Sequence, residues 1–137
     1  MKIAVATVRG GLDDIVNVQF GRTPTLTIVD VENGEIKNVR VIQNPYASAM
    51  GGAGVQISQM IINEGCKVVI GGNIGPNSYE ILSMGGVDMR NGSGLTVREA
   101  VERYLRGELP PITPSGRGFG RGMRGGRGMG RGKRGWA

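Results

Sequence analysis

The chain has 137 residues, enough for one domain with an appendage, and its formal net charge of +6 is unevenly spread. Residues 110–137 hold seven basic residues and no acidic one, whereas residues 1–109 carry 10 basic and 11 acidic side chains, a net charge of −1, so the overall basicity says nothing about what the body binds. There is no histidine and one cysteine, Cys66, which excludes imidazole acid–base chemistry, Ser–His and Cys–His nucleophiles, histidine-ligated metals, an internal disulfide and, in a monomer, a thiolate-ligated zinc or iron–sulfur site.

Residues 3–8 are rich in β-branched side chains and read as a first strand, ended by Arg9-Gly10-Gly11. The segment 12–20 has only weak alternation, at Val16 and Val18, and no assigned element. Phe20-Gly21-Arg22-Thr23-Pro24 is a loop. Residues 25–31 form a second strand, with Leu26, Ile28 and Asp30 on one face. Asn33-Gly34 is a strong hairpin signal, so residues 36–42 return antiparallel, with Ile36, Val39 and Val41 available for burial. Asn44-Pro45 breaks this strand, and a small-residue loop ends in Gly51-Gly52-Ala53-Gly54. Val55, Ile57, Met60, Ile61 and Ile62 stand at helical spacing over residues 55–64, with Gly65 closing the helix. The apolar run 67–70 suits a strand buried on both faces. Pro76 fits the first turn of a helix over 76–84, closed by Gly85-Gly86. A short strand follows at 87–89. Thr96 and Glu99 form a capping box for a last helix over 97–106.

This order predicts an α/β domain. Strands linked through helices must run parallel and the early hairpin antiparallel, giving a mixed five-stranded sheet with helices on its faces. No apolar run approaches the roughly 20 residues of a membrane span, and the strand-like start does not resemble a signal peptide, so a soluble, cytoplasmic protein without membrane contact is expected.

Gly51-Gly52-Ala53-Gly54 and Gly71-Gly72-Asn73-Ile74-Gly75 each follow a strand and precede a helix. Such loops lie at the carboxyl edge of a sheet, where ligands bind. Backbone N–H groups and helix N-termini there favour an anion; the plainer alternative is that the glycines only make tight turns. Neither loop is a P-loop or a dinucleotide fingerprint. Arg22, and less directly Arg9, can supply a fixed positive charge or stand solvated at the surface. Met50 offers a soft thioether or fills an apolar gap. Cys66, at the amino end of its strand, belongs at the opposite sheet edge as a buried structural residue. Asp13, Asp14, Asp30 and Asp88 make no carboxylate constellation for a two-metal nuclease.

Phe20-Gly21-Arg22-Thr23-Pro24, Asn44-Pro45, Gly52-Ala53-Gly54-Val55-Gln56, Gly71 to Pro76 and the closing run from Thr96 to Leu109 stand in one order that resembles the dinitrogenase iron–molybdenum cofactor biosynthesis family, small carriers of metal–sulfur clusters. The resemblance covers residues 1–109. It implies a ribonuclease H-like, three-layer fold with three antiparallel and two parallel strands. It implies an iron–sulfur, iron–molybdenum or molybdenum–sulfur cluster held without catalytic turnover, with cluster donor or acceptor proteins as partners and a monomer or weak homodimer. Where relatives often carry histidine, this chain has Gln19 and the segment Tyr46-Ala47-Ser48-Ala49-Met50. A histidine-ligated cluster is thereby excluded. The candidate contacts are Gln19, Phe20, Gly21, Arg22, Met50, Gly51, Gly52, Ala53, Gly71, Gly72, Asn73, Ile74 and Gly75. A nucleotide-binding regulator using the same loops is a weaker alternative.

Residues 115–136 are Gly/Arg-rich with Phe119 and Trp136 and no apolar periodicity, so residues 110–137 are expected to be a disordered basic tail beyond a domain of residues 1–109. Arg117, Arg121, Arg124, Arg127, Arg131 and Arg134 suit loose RNA or single-strand contact, which makes a nucleic-acid accessory protein the alternative function.

Overall fold

In a computed structural model that describes residues 1–48 and 51–112, the elements follow the predicted order. They are β1 (Lys2–Thr7), β2 (Thr25–Glu32), β3 (Glu35–Gln43), α1 (Ala53–Asn63), β4 (Cys66–Gly71), α2 (Pro76–Met84), β5 (Asp88–Asn91) and α3 (Val97–Leu105). The sheet order is β3-β2-β1-β4-β5. β2 runs antiparallel to both β1 and β3, while β4 pairs parallel to β1 and β5 parallel to β4. Two antiparallel steps make β3 parallel to β1. The carboxyl ends of β1, β3, β4 and β5 therefore share one rim.

The sheet separates two cores. On one face, Ile57 and Ile61 of α1 and Leu82 of α2 pack with Ala4, Leu26, Ile28 and Val69. On the other, Val97, Ala100 and Val101 of α3 pack with Ile3, Val5, Val29, Val68 and Ile70. β1 and β4 lie between the layers, which is why both read as near-continuous apolar runs. β3 is an edge strand, so Ile36 and Val39 are only half-buried and Val41 remains 44% exposed. The outer edge of β5 is covered: Asn91 donates to the Pro110 carbonyl, and Ile112 to that of Met89.

Local chemistry accounts for the boundaries. Asn33 and Gly34 adopt φ of 55° and 77°, the left-handed pair that a tight hairpin turn requires. Pro76 opens α2, and the Thr96 hydroxyl accepts from the Glu99 amide to cap α3. α1 begins two residues earlier than the apolar spacing indicates, with Gly52 at its N-cap. Segment 12–20 stays irregular but is pinned. Val16 donates to Leu95 and Asn17 to Ala6, and isolated bridges join Ile15 to Thr96 and Gln19 to Asn73.

The turn after β1 is held by Asp14, whose Oδ2 accepts from the amides of Val8, Arg9 and Gly10 at 3.0, 2.9 and 2.9 Å. Burial alone would raise this carboxyl, but the amides of Gly10, Arg9, Ile15 and Val8 together outweigh it and hold the pKa below its ordinary 3.8. The folded-state value lies below the unfolded one, so the stabilisation is complete above about pH 4 and is lost as pH falls through the folded value. Asp14→Asn is expected to lower unfolding stability by about 1 kcal/mol at pH 7. Urea titrations should show the gap between variant and wild type closing as pH falls below about 4.

Candidate functional site

At the shared rim, α1 and α2 begin side by side around an open cleft of about 350 Å³, lined by Gln19, Gly21, Arg22, Gly52 to Val55 and Gly75 to Ser78. This is at the small end of the range for small-molecule sites. The juxtaposition follows from chain direction: β3 and β4 both deliver their following helix at that rim, on the same face of the sheet. Gly54 permits the contact, because a Cβ there would overlap the Ser78 Oγ. Gly21 lies beneath, where an added Cβ would stand 3.2 Å from the Gly54 Cα.

Neither helix has a side-chain cap. The first intrahelical donors are Gln56 in α1, to Gly52, and Tyr79 in α2, to Gly75. The amides of Ala53, Gly54, Val55, Asn77 and Ser78 precede them and have no acceptor among the described residues. Two positive helix-dipole ends thus open on one cleft whose lining contains Arg22 and no acidic residue. Arg22 Nη1 donates to the Ala47 carbonyl at 3.0 Å, which folds the guanidinium across the loop after β3. Asn44 fixes both sides of this arrangement. Its amide donates to the Gly21 and Thr23 carbonyls, on either side of Arg22, at 3.3 and 2.9 Å, while its Oδ1 accepts from the Tyr46 amide at 2.9 Å.

The two glycine loops therefore meet at one rim, but they do not contribute alike. Gln19, Gly21, Arg22, Gly52, Ala53 and Gly75 line the cleft, and Gly51 lies just outside it. Gly71, Gly72 and Asn73 do not line it. Asn73 donates to the Val18 carbonyl, Phe20 donates to that of Asn73, and a Cβ at Gly72 would stand 2.7 Å from the Val18 backbone. The first half of that loop is thus consumed in pairing with segment 18–20, and its second half becomes the helix start at the cleft. Phe20 and Ile74 are core side chains, 1% and 0% exposed. Met50 and the six tail arginines lie outside the described residues.

Cys66 is the first residue of β4, at the other rim, and 2% exposed. Burial, aided by the nearby Glu64 carboxylate, pushes its thiol up to about 11, so it is a protonated core residue at neutral pH. Among the described residues, no three of the His, Cys, Asp and Glu types gather closely enough to hold a metal ion. No helix among them is long and apolar enough to cross a membrane. The cleft can thus attract an anion through N–H donors and a guanidinium, and among the described residues no His, Cys, Asp or Glu lines it.

The family model described as dinitrogenase iron-molybdenum cofactor matches residues 1–107. An uncharacterized protein of Methanocaldococcus jannaschii is 36% identical over 90 residues, spanning 66% of this chain and 76% of its own. The apo form of the orange protein from Desulfovibrio gigas superposes with a TM-score of 0.74 at 31% identity, over 80% of this chain and 91% of that one. A candidate NifB protein from Thermotoga gives 0.69 at 31% identity, over 84% and 98% of the two chains.

The packing at the helix starts yields a direct expectation. Gly54→Ala should lower unfolding stability by about 1–3 kcal/mol, because the added methyl must displace Ser78 or part the two helices. Gly51→Ala has open space around its Cβ. Chemical denaturation should place it within about 0.5 kcal/mol of wild type.

Proposed function

The chain belongs to the dinitrogenase iron–molybdenum cofactor family, and on that premise we propose that it is a carrier rather than an enzyme. Its cargo is a preformed anionic metal–sulfur cluster, iron–sulfur, iron–molybdenum or molybdenum–sulfur in composition, or a precursor of one. The observation that carries the reading is the convergence of two uncapped helix N-termini on one cleft beside Arg22. Five amides without acceptors among the described residues form a fixed field for negative charge. Hydrogen-bond donors suit an anion whose metals are already coordinated by sulfide. They offer nothing to an iron or molybdenum ion that still needs ligands. Family membership supports the metal–sulfur character of the cargo, and the cleft favours one mode: outer-sphere capture by backbone N–H groups with a guanidinium as countercharge. A cargo held without metal–protein bonds can pass between cluster donor and acceptor proteins without ligand exchange at the metal.

Tetrathiomolybdate mixed with the purified full chain should give a protein-bound chromophore that co-elutes on gel filtration, with affinity falling as ionic strength rises. Arg22→Ala should weaken binding about tenfold, the loss expected for one charge-assisted contact. A chromophore that never co-elutes would overturn the carrier reading. Unchanged affinity in the variant would remove Arg22 from the site.

A further inference from the structure

Among the polar side chains of the cleft, only that of Ser78 is buried, at 5% exposure. Its hydroxyl has no hydrogen-bond partner among the described residues. Serines within helices ordinarily bond back to the carbonyl one turn earlier. Ser58 in α1 does so, with its Oγ 2.6 Å from the Gly54 carbonyl. Ser78 instead lies against Gly54, where α1 and α2 touch, at the third position of α2. An unsatisfied buried hydroxyl works against folding, and native interiors keep few of them. One that lines a cleft already lined by five acceptorless amides has its partner supplied if a ligand brings the acceptor.

We propose that Ser78 is a direct ligand contact, its hydroxyl donating to a terminal atom of the anion seated between the starts of α1 and α2. This rests on the carrier reading of the same cleft and narrows it. A neutral hydroxyl is a donor to sulfido or oxo atoms and a poor ligand for a soft metal. The occupant is therefore an anion that presents terminal sulfido or oxo groups with its metal coordination complete. The seat is the meeting point of the two helices, and the Gly71 to Asn73 turn lies outside it.

The test is isothermal titration of the full chain and of Ser78→Ala with tetrathiomolybdate, molybdate and inorganic phosphate. Alanine removes only the hydroxyl and is a better helix former, so the free variant should melt at the wild-type temperature or above it. Its affinity for tetrathiomolybdate should fall about tenfold, as for loss of one hydrogen bond to a charged group. Equal affinity in variant and wild type overturns the Ser78 contact and leaves the carrier reading standing. Wild type that takes molybdate or phosphate as tightly as tetrathiomolybdate, with all weakened in the variant, supports the contact and overturns the preference for a metal–sulfur cargo. Wild type that binds none of the three overturns both.

Discussion

The site depends on how closely two helix starts can approach. α1 and α2 follow different strands, yet both begin at the same rim, where Ser78 rests on Gly54 and Gly54 on Gly21. A side chain at either glycine would separate the three segments. With none, the unpaired amides of both helix ends share one small volume, and their partial positive charges add over a few ångströms instead of acting on separate surfaces. The parallel relation of β3 and β4 brings these ends together, and Asn44 holds the Arg22 loop against the strand end from which α1 departs.

The fold already shows, with its own carboxylate, the chemistry proposed for the cleft. Asp14 sits in the turn after β1, where three successive amides hold one of its oxygens and keep the group ionised below its ordinary range. Backbone N–H groups at a strand end are enough to hold negative charge there, without a cation in the same contact. At the helix starts, the corresponding donors have no such internal anion among the described residues. The single thiol is remote and protonated, so the capture proposed for this rim rests on hydrogen bonds and charge and leaves the metal centre of a cargo its own ligands.

Much of the architecture was legible in the residues because local signals agreed with the global order. Asn33-Gly34, Pro76 and Thr96 with Glu99 mark a hairpin and two helix starts through chemistry that acts over four residues or fewer. The mixed sheet then follows from connection rules. What stayed hidden was long-range. Segment 12–20 has no periodicity because it is held one bond at a time by Ala6, Asn73, Leu95 and Thr96, and no local pattern announces those partners. Gly72 and Asn73 are taken up by the same segment and Gly71 pairs with Asn91 in β5, so a cleft wall read from Gly71 onward begins four residues later, at Gly75. Asn77 and Ser78 went unremarked, although a signal was present. Proline at the first helical position makes the next two residues donors without intrahelical acceptors. Ile36, Val39 and Val41 looked buriable because a period of two does not distinguish an edge strand from an inner one.

The most direct measurement is an amide proton–nitrogen correlation spectrum of the isotope-labelled full chain, recorded as tetrathiomolybdate is added. The account predicts that the largest shifts fall on Ala53, Gly54, Val55, Asn77 and Ser78, while Gly72, Asn73 and the residues around Cys66 move little. Shifts concentrated on residues 113–137, or spread along the Gly71 to Asn73 turn with the two helix starts unmoved, would contradict it.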